Sequence, residues 1–152
     1  MKRFIFCVWV IVLSHHISNV QAGNATPEGL WRTIDDRTGK ARSLVKIIEQ
    51  DGEYNGFVEK GLLPTDKEQD VCDKCTDERK GQRIIGMKLL TGIRQKGNEF
   101  DCGEVLDPDN GETYQCQIKL DASGNKLEVR GYIGIPVLGR SQTWLRLEQN
   151  NK

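Results

Sequence analysis

The sequence predicts an all-β domain of about eight short antiparallel strands. Turn-forming residues such as Asp51-Gly52 recur about every eight to fifteen positions, which leaves room only for short strands between them. Residues 117–120 and 126–132 alternate apolar and polar side chains, as half-buried antiparallel strands do, and residues 121–125 are typical of a tight hairpin loop. No long window shows the periodicity of a capped amphipathic helix.

The predicted strands follow one another without an intervening helix. They span residues 29–35, 42–50, 54–60, 83–90 with a continuation, 99–106, 113–120, 126–132 and 141–147. Residues 65–80 form a charged stretch with Cys72 and Cys75, which we expect to be a surface loop or one helical turn. Edge strands are usually managed by a closed up-and-down barrel or by a two-sheet sandwich, and a barrel of about eight strands holds either packed side chains or one small ligand.

The N-terminal segment has the layout of a secretory signal peptide. Lys2 and Arg3 precede an apolar run over residues 4–13, and Val20 and Ala22 supply small residues before a cleavage site that we place after Ala22. The apolar run is about half the roughly 20 residues that a helix needs to cross a bilayer, so we do not expect a membrane-spanning protein. We therefore expect residues 1–22 to be removed and residues 23–152 to form a single domain.

The charges of the mature chain do not form a basic face. Lys2 and Arg3 are two of the 22 basic residues and no acidic residue precedes Ala22, so 20 basic side chains would remain against 22 acidic ones. Both signs are interspersed along the chain, whereas nucleic-acid-binding proteins cluster Lys and Arg beside aromatic residues. We therefore expect no nucleic-acid partner.

Both histidines of the chain, His15 and His16, fall in the predicted signal peptide. The mature chain would then have no imidazole for Ser-His-Asp or Cys-His catalysis, and none for a histidine metal site. We expect no enzymatic activity, no catalytic residue, no cofactor and no bound metal ion.

Four cysteines remain in the mature chain, and in an oxidising compartment they most simply form two disulfides. We predict the local pairs Cys72–Cys75 and Cys102–Cys116. A three-residue loop at 108–110 would place Cys102 directly opposite Cys116, whereas a four-residue loop at 108–111 would shift the register by one and send the two side chains to opposite faces.

The Cys72-x-x-Cys75 spacing allows three interpretations. A disulfide between the two cysteines would staple the surface loop. The same spacing occurs in thiol-disulfide oxidoreductases and in half of a zinc site, but the redox motif should open a helix in a βαβ unit, and a four-thiolate zinc site would need two further cysteines nearby. The structural staple is the interpretation that we favour.

Two features point to the ends of a barrel. Gly29 and Trp31 begin the first strand and Arg146 lies on the last, so we predict that the arginine lies over the indole face; the alternative is a core tryptophan and a solvated arginine. Residues 130–140 contain Arg130, Tyr132 and Arg140 among several glycines, which indicates a sharp bend. That bend can line a mouth that recognises a polar or anionic head group, or can serve only to close the barrel.

The chain resembles a bacterial exported family, domain of unknown function 2147. The resemblance covers nearly all of the mature chain and rests on the following motifs: Gly29-x-Trp31, the turn from Asp35 to Gly39, Cys72-x-x-Cys75, Gly86, Leu106-Asp-Pro-x-x-Gly111 with Tyr114, Leu127-x-Val-Arg-Gly-Tyr-Ile-Gly134, and Leu138-Gly-Arg-x-Gln-Thr-Trp-x-Arg146. It implies a lipocalin-like (calycin) antiparallel barrel and a periplasmic location in a Gram-negative bacterium. It implies no activity. Cys102 replaces an expected glycine, so the family does not support the Cys102–Cys116 pair.

We expect an exported protein that binds one small apolar or amphipathic ligand in the barrel. The candidate ligand-binding residues are Trp31, Tyr114, Arg130, Tyr132, Arg140 and Trp144, and Gly29, Trp31 and Arg146 are candidate structural residues. A wholly filled barrel with an exposed apolar patch would instead favour a structural or interaction module of the cell envelope. A third alternative is an enzyme, either a Cys-x-x-Cys redox protein or a carboxylate hydrolase.

Overall fold

The computed structural model describes residues 25–97 and 99–147, apart from the side chain of Cys102, so the predicted signal peptide lies outside it. Within these residues, eight antiparallel strands follow in chain order: β1 (Gly29–Ile34), β2 (Ala41–Gln50), β3 (Glu53–Gly61), β4 (Lys88–Lys96), β5 (Glu99–Asp107), β6 (Glu112–Leu120), β7 (Lys126–Tyr132) and β8 (Arg140–Leu147). Each strand pairs with the next, and β8 pairs with β1. The closed up-and-down barrel is therefore confirmed.

The predicted strand at 83–90 is wrong at its start, whereas its expected continuation beyond Leu90 is confirmed. Strand β4 begins at Lys88 and continues to Lys96, and Arg83 forms only an isolated bridge with Val71. Gly86 has φ +87°, which interrupts the extended backbone before β4, and Gly92 has φ +75°, which breaks the alternation of side chains within it. Residues 65–80 are a loop, and a 3₁₀ helix that the sequence did not predict spans Pro136–Leu138.

Inward-facing side chains fill the half of the barrel near the start of β1. The buried core includes aliphatic residues from most strands, and Tyr54 meets Phe100 edge to face at 5.6 Å between ring centroids. Its largest fully buried members are Trp31, Trp144, Ile47, Leu90, Ile93, Ile118 and Leu127. No helix in the described part of the chain is long and apolar enough to cross a bilayer.

The segment before β1 closes this end of the barrel. Pro27 is fully buried, and its carbonyl accepts a hydrogen bond of 2.8 Å from Nε1 of Trp31. The guanidinium of Arg146 lies over the Trp31 ring, as predicted. Gly29 has φ +136°, and a Cβ there would lie 2.6 Å from Nη1 of Arg146, so a glycine is required beside the arginine. We refer to this end as the closed end.

The long connection between β3 and β4 has a small core of its own. Cys72 and Cys75 form a disulfide, as predicted, and both are buried with Met87 and with Leu106 of β5. The turn between β5 and β6 packs against this loop so closely that a Cβ at Gly111 would overlap the backbone carbonyl of Lys74. Two motifs that are distant in sequence therefore form one packed unit.

The loop between β5 and β6 is not the three-residue loop that would place Cys102 directly opposite Cys116. Asp107 faces Glu112, and Gly111 has φ +79° within a four-residue turn. A register shift then follows between Asp101 and Glu104, and Asp101 faces Gln117. Because of this shift, the residues of β5 and β6 nearer the closed end pair as they would with a three-residue loop. The side chain of Cys102 is outside the described residues, so its bond to Cys116 stays a prediction.

Candidate ligand-binding cavity

A cavity of about 740 Å³ opens at the end of the barrel opposite Trp31 and Arg146. Its wall comes from the last residues of β1, β3, β5 and β7 and the first residues of β2, β4, β6 and β8, because all of these ends meet on one side of an up-and-down barrel. The connections after β1, β3 and β5 contribute its rim. We refer to this end as the mouth.

The inner part of the cavity is mainly apolar. Val58, Leu89 and Val129 are nearly buried and line it, together with the indole of Trp144, which is 1% exposed. Polar groups on this wall are paired with each other. Thr33 Oγ1 and Ser43 Oγ are 2.9 Å apart, and Nε1 of Trp144 donates to Oε1 of Gln142 at 3.3 Å. The wall therefore offers apolar surface with a few hydroxyl and amide groups.

The rim of the cavity is charged, and several of its charges are paired. Nη1 of Arg42 lies 3.0 Å from Oδ2 of Asp66, and Nη2 lies 3.0 Å from Oδ1 of Asp109. Burial alone would lower the pKa of Arg42, but the two carboxylates raise it overall. Arg42 therefore stays cationic and joins the long β3–β4 connection to the β5–β6 turn across the rim.

A second charged pair joins the β1–β2 loop to the start of β8. The guanidinium of Arg140 bonds both carboxylate oxygens of Asp36 and lowers the pKa of Asp36. In the same loop, the backbone N–H of Thr38 donates to Oδ1 of Asp35 at 2.8 Å and lowers the pKa of Asp35. Both carboxylates are therefore ionised and engaged at neutral pH.

Arg83 also lines the cavity, but its environment differs. Its side chain is exposed, and within the described part of the chain its guanidinium makes no hydrogen bond or ion pair. Arg83 and Arg42 carry no distinctive sequence signal, because charged residues are frequent along the whole chain. An unpaired guanidinium at the rim can bind an anionic or carbonyl-bearing group.

The structure brings three of the six predicted ligand-binding residues together. Tyr114, Arg140 and Trp144 line the cavity. Trp31 does not, because it lies in the filled core at the closed end. The remaining two, Arg130 and Tyr132, belong to the outer face of the barrel and are absent from the cavity lining, because they alternate with the inward-facing Val129 and Gly131.

Arg130 does not line the mouth but holds a loop in place. Its Nε donates to the carbonyl of Pro136 at 2.7 Å, Nη1 donates to Oγ of Ser141 at 2.8 Å, and Nη2 donates to the carbonyl of Val137 at 3.3 Å. These bonds hold the loop between β7 and β8. Alternation along β7 could have predicted this, since Leu127 and Val129 are apolar and Arg130 is on the opposite face.

The described residues include carboxylates and cysteines, side-chain types that can bind a metal ion. Among them, no group of three or more His, Cys, Asp or Glu side chains lies close enough to hold a metal ion. Cys72 and Cys75 are 0% exposed and bonded to each other inside an apolar cluster, an environment typical of a structural disulfide.

Comparisons with known proteins agree with the geometry. Residues 29–146 match the family described as "Uncharacterized protein conserved in bacteria (DUF2147)". A solved structure described as protein HP1028 from the human pathogen Helicobacter pylori, of the lipocalin family, is similar with a TM-score of 0.71 and 18% sequence identity. The similarity covers 82% of this chain and 84% of that one, and it supports the fold alone. None of the curated proteins matches the chain significantly.

Proposed function

Since the chain belongs to the bacterial family DUF2147 and forms a lipocalin-like barrel, we propose that it is an exported periplasmic protein that binds one small apolar or amphipathic molecule. The cavity of about 740 Å³ at the mouth is the observation that carries this proposal. Small-molecule sites are usually concave and mainly apolar, with volumes of roughly 300–1,000 Å³. A barrel filled with side chains to both ends would offer no such space.

The distribution of polarity favours an amphipathic ligand. An apolar tail fits against Val58, Leu89 and Val129, with Trp144 as an aromatic surface at the inner wall. A polar or anionic head fits at the rim, where the Arg83 guanidinium has no partner among the residues that the structure describes. Tyr114, whose hydroxyl is 2.9 Å from Nδ2 of Asn110, adds a second polar group there.

The periplasmic location is part of the proposal. The expected signal peptide over residues 1–22 favours export. The Cys72–Cys75 disulfide supports an oxidising compartment, because disulfides are rare in the reducing cytosol. The buried position of that bond gives no support to a redox enzyme.

Dye binding to a pair of variants of β7 tests ligand binding. Val129 faces the cavity, and its neighbour Glu128 is exposed on the outer face of the same strand. We expect the apolar dye N-phenyl-1-naphthylamine to bind the wild type, Val129→Phe to weaken binding by about tenfold by filling the cavity, and Glu128→Phe to have no effect. Native mass spectrometry of the purified protein should also find a co-purified small molecule.

Two outcomes contradict the proposal. One is a wild type that binds neither the dye nor any co-purified molecule. The other is equal dye binding by Val129→Phe and the wild type, which would mean that the dye binds to an exposed apolar surface and not in the cavity. A circular dichroism melting curve of each variant shows whether weaker dye binding comes from a filled cavity or from an unfolded protein.

A further inference from the structure

The loop between β7 and β8 exposes an unusual amount of apolar surface. Its large side chains are exposed by 74% at Ile133, 55% at Ile135, 74% at Val137 and 77% at Leu138. Single exposed apolar residues are common, but a contiguous group marks an interaction surface. We refer to residues 133–138 as the apolar tip.

The apolar tip has a fixed backbone. The three hydrogen bonds of Arg130 hold the carbonyls of Pro136 and Val137 and the hydroxyl of Ser141. Within the tip, the backbone N–H of Leu138 donates to the carbonyl of Ile135, and that of Gly139 donates to the carbonyl of Pro136. These hydrogen bonds favour the conformation in which the loop exposes its apolar side chains, and so lower the conformational entropy that binding would cost.

Positive charge lies beside the apolar tip. Arg140 lies two residues after it, and its bond to Asp36 ties the tip to the β1–β2 loop. The side chain of Arg37 in that loop is 69% exposed and Lys40 is also exposed, whereas the carboxylates of Asp35 and Asp36 are only 16% and 27% exposed. The solvent-facing side of this loop is therefore cationic.

We propose that the apolar tip docks the mouth of the barrel onto an anionic phospholipid membrane, with Arg37 and Lys40 against the lipid head groups. Apolar side chains that enter the head-group boundary beside basic residues are the recurring chemistry of peripheral membrane binding. This inference goes beyond the proposed ligand binding and does not depend on it. Docking of the tip would bring the cavity mouth to the membrane surface, from which an amphipathic molecule can enter the cavity.

The size of the apolar tip favours a membrane over a second copy of the chain. Four aliphatic side chains at these exposures present a few hundred square ångströms, whereas a stable protein interface needs roughly 800 Å² from each partner. The tip is also a projecting loop beside a charged rim and not an extended flat face. A fluid lipid surface adapts to such a projection without a matching groove.

Vesicle flotation with matched serine substitutions tests the proposal. The variant Val137→Ser/Leu138→Ser removes Leu138, the most exposed side chain of the tip, together with its neighbour Val137. The control Ile48→Ser removes an exposed isoleucine from the outer face of β2. All proteins are purified as the host processes them, with the same N-terminus by intact mass. The vesicles contain phosphatidylglycerol and phosphatidylethanolamine, with phosphatidylcholine vesicles for comparison.

We expect the wild type and Ile48→Ser to float with the anionic vesicles, and the tip variant to bind at least about tenfold more weakly. Arg37→Gln should weaken binding to the anionic vesicles and leave the weak binding to phosphatidylcholine unchanged. The cavity variant Val129→Phe should float like the wild type, which separates this result from the dye experiment.

Three results would overturn the inference. The wild type could stay in solution with both kinds of vesicle. The tip variant could float as well as the wild type, which would assign binding to another surface. Finally, sedimentation velocity could find a wild-type dimer that the tip substitutions dissociate, which would make a second copy the occupant of the tip.

Discussion

The guanidinium of Arg146 lies 4.3 Å from the ring centroid of Trp31 and stacks on the indole at the closed end. Its nitrogens also donate to three backbone carbonyls, those of Thr26 at 2.7 Å, Glu28 at 2.5 Å and Gly124 at 2.6 Å. One side chain of the last strand thus joins the segment before β1 and the turn between β6 and β7. Burial lowers the pKa of Arg146, and the carbonyls and the ring replace the lost water.

Replacement of Arg146 by alanine should destabilise the barrel by about 2–4 kcal/mol, because it removes charged hydrogen bonds and the contact with the indole together. Arg146→Lys should recover part of this loss, since an ammonium can stack on the ring but cannot reach all three carbonyls. Arg94→Ala is the matched control: its side chain is 71% exposed and pairs with Glu53 on the surface, so it should cost at most about 1 kcal/mol. Urea denaturation followed by tryptophan fluorescence measures all three, and an equal loss for Arg146→Ala and Arg94→Ala would refute the central role of Arg146.

Gly111→Ala should destabilise the protein more than Gly39→Ala, although both glycines have positive φ, +79° and +67°. A Cβ at Gly39 meets nothing within 4 Å, so that change carries only the backbone penalty of about 1–2 kcal/mol. At Gly111 the Cβ would overlap the Lys74 carbonyl and separate the disulfide loop from the β5–β6 turn. Thermal unfolding compares the two variants. Similar melting temperatures would mean that the disulfide loop can move away from the added Cβ without a loss of stability.

Cys102 and Cys116 should form a second disulfide. The register places Asp101 opposite Gln117, and Cys102 and Cys116 are the next residues along the two strands. Reduction of the unfolded protein should then raise its intact mass by about four units, two for each bond. Non-reducing peptide mapping should find one fragment that joins the two strands, and alkylation of both thiols in the unreduced protein would disprove the bond.

Acid should weaken the fold through Asp77 and Asp36. Hydrogen bonds from Arg79 lower the pKa of Asp77 from 3.8 to about 2, and the Arg140 guanidinium lowers that of Asp36. The unfolded chain therefore binds more protons than the folded one at low pH, so the stabilisation is complete above the ordinary pKa and is lost as the pH falls from 3.8 toward about 2. The free energy of unfolding, measured from pH 5 to pH 2, should decline in this window.

Asp77→Asn should reduce that decline, since the asparagine cannot titrate, and the variant should be less stable than the wild type at pH 5. Asp51→Asn is a suitable control because it lies in the exposed turn between β2 and β3, and no hydrogen bond to its carboxylate is present among the described residues. If the wild type and Asp77→Asn show the same slope, the Arg79 pair does not link folding to pH.

The sequence predicted strands well where alternation and turns agreed. The prediction for residues 126–132 matches β7, because apolar Leu127 and Val129 alternate with polar neighbours after a hairpin loop. For β4 only the start was wrong, because Gly86 has φ +87° and interrupts the extended backbone before Lys88. Within β4, Leu89 and Leu90 are both buried and Gly92 resets the side-chain pattern. A bulge adds a residue that no period-two pattern can anticipate.

The cavity was harder to predict from the sequence than the fold was. Alternation could have assigned Arg130 to the outer face, because it follows inward-facing Val129. Which end of the barrel is filled depends on how the segment before β1 folds across it, and this has no periodic signal. Trp31 and Trp144 are both inward-facing and buried, yet one belongs to the closed end and the other to the cavity wall.

The pairing of β1 with β8 has a kinetic consequence. Leu30 faces Leu147, so the contact that completes the barrel joins the two extremes of the domain and carries the largest loop-closure entropy of the fold. A chain that emerges N-terminus first leaves one edge of β1 without a neighbour until the final strand is available. Completion of the barrel therefore has to wait for β8, and truncation within β8 should leave an open sheet with an edge that can recruit other chains.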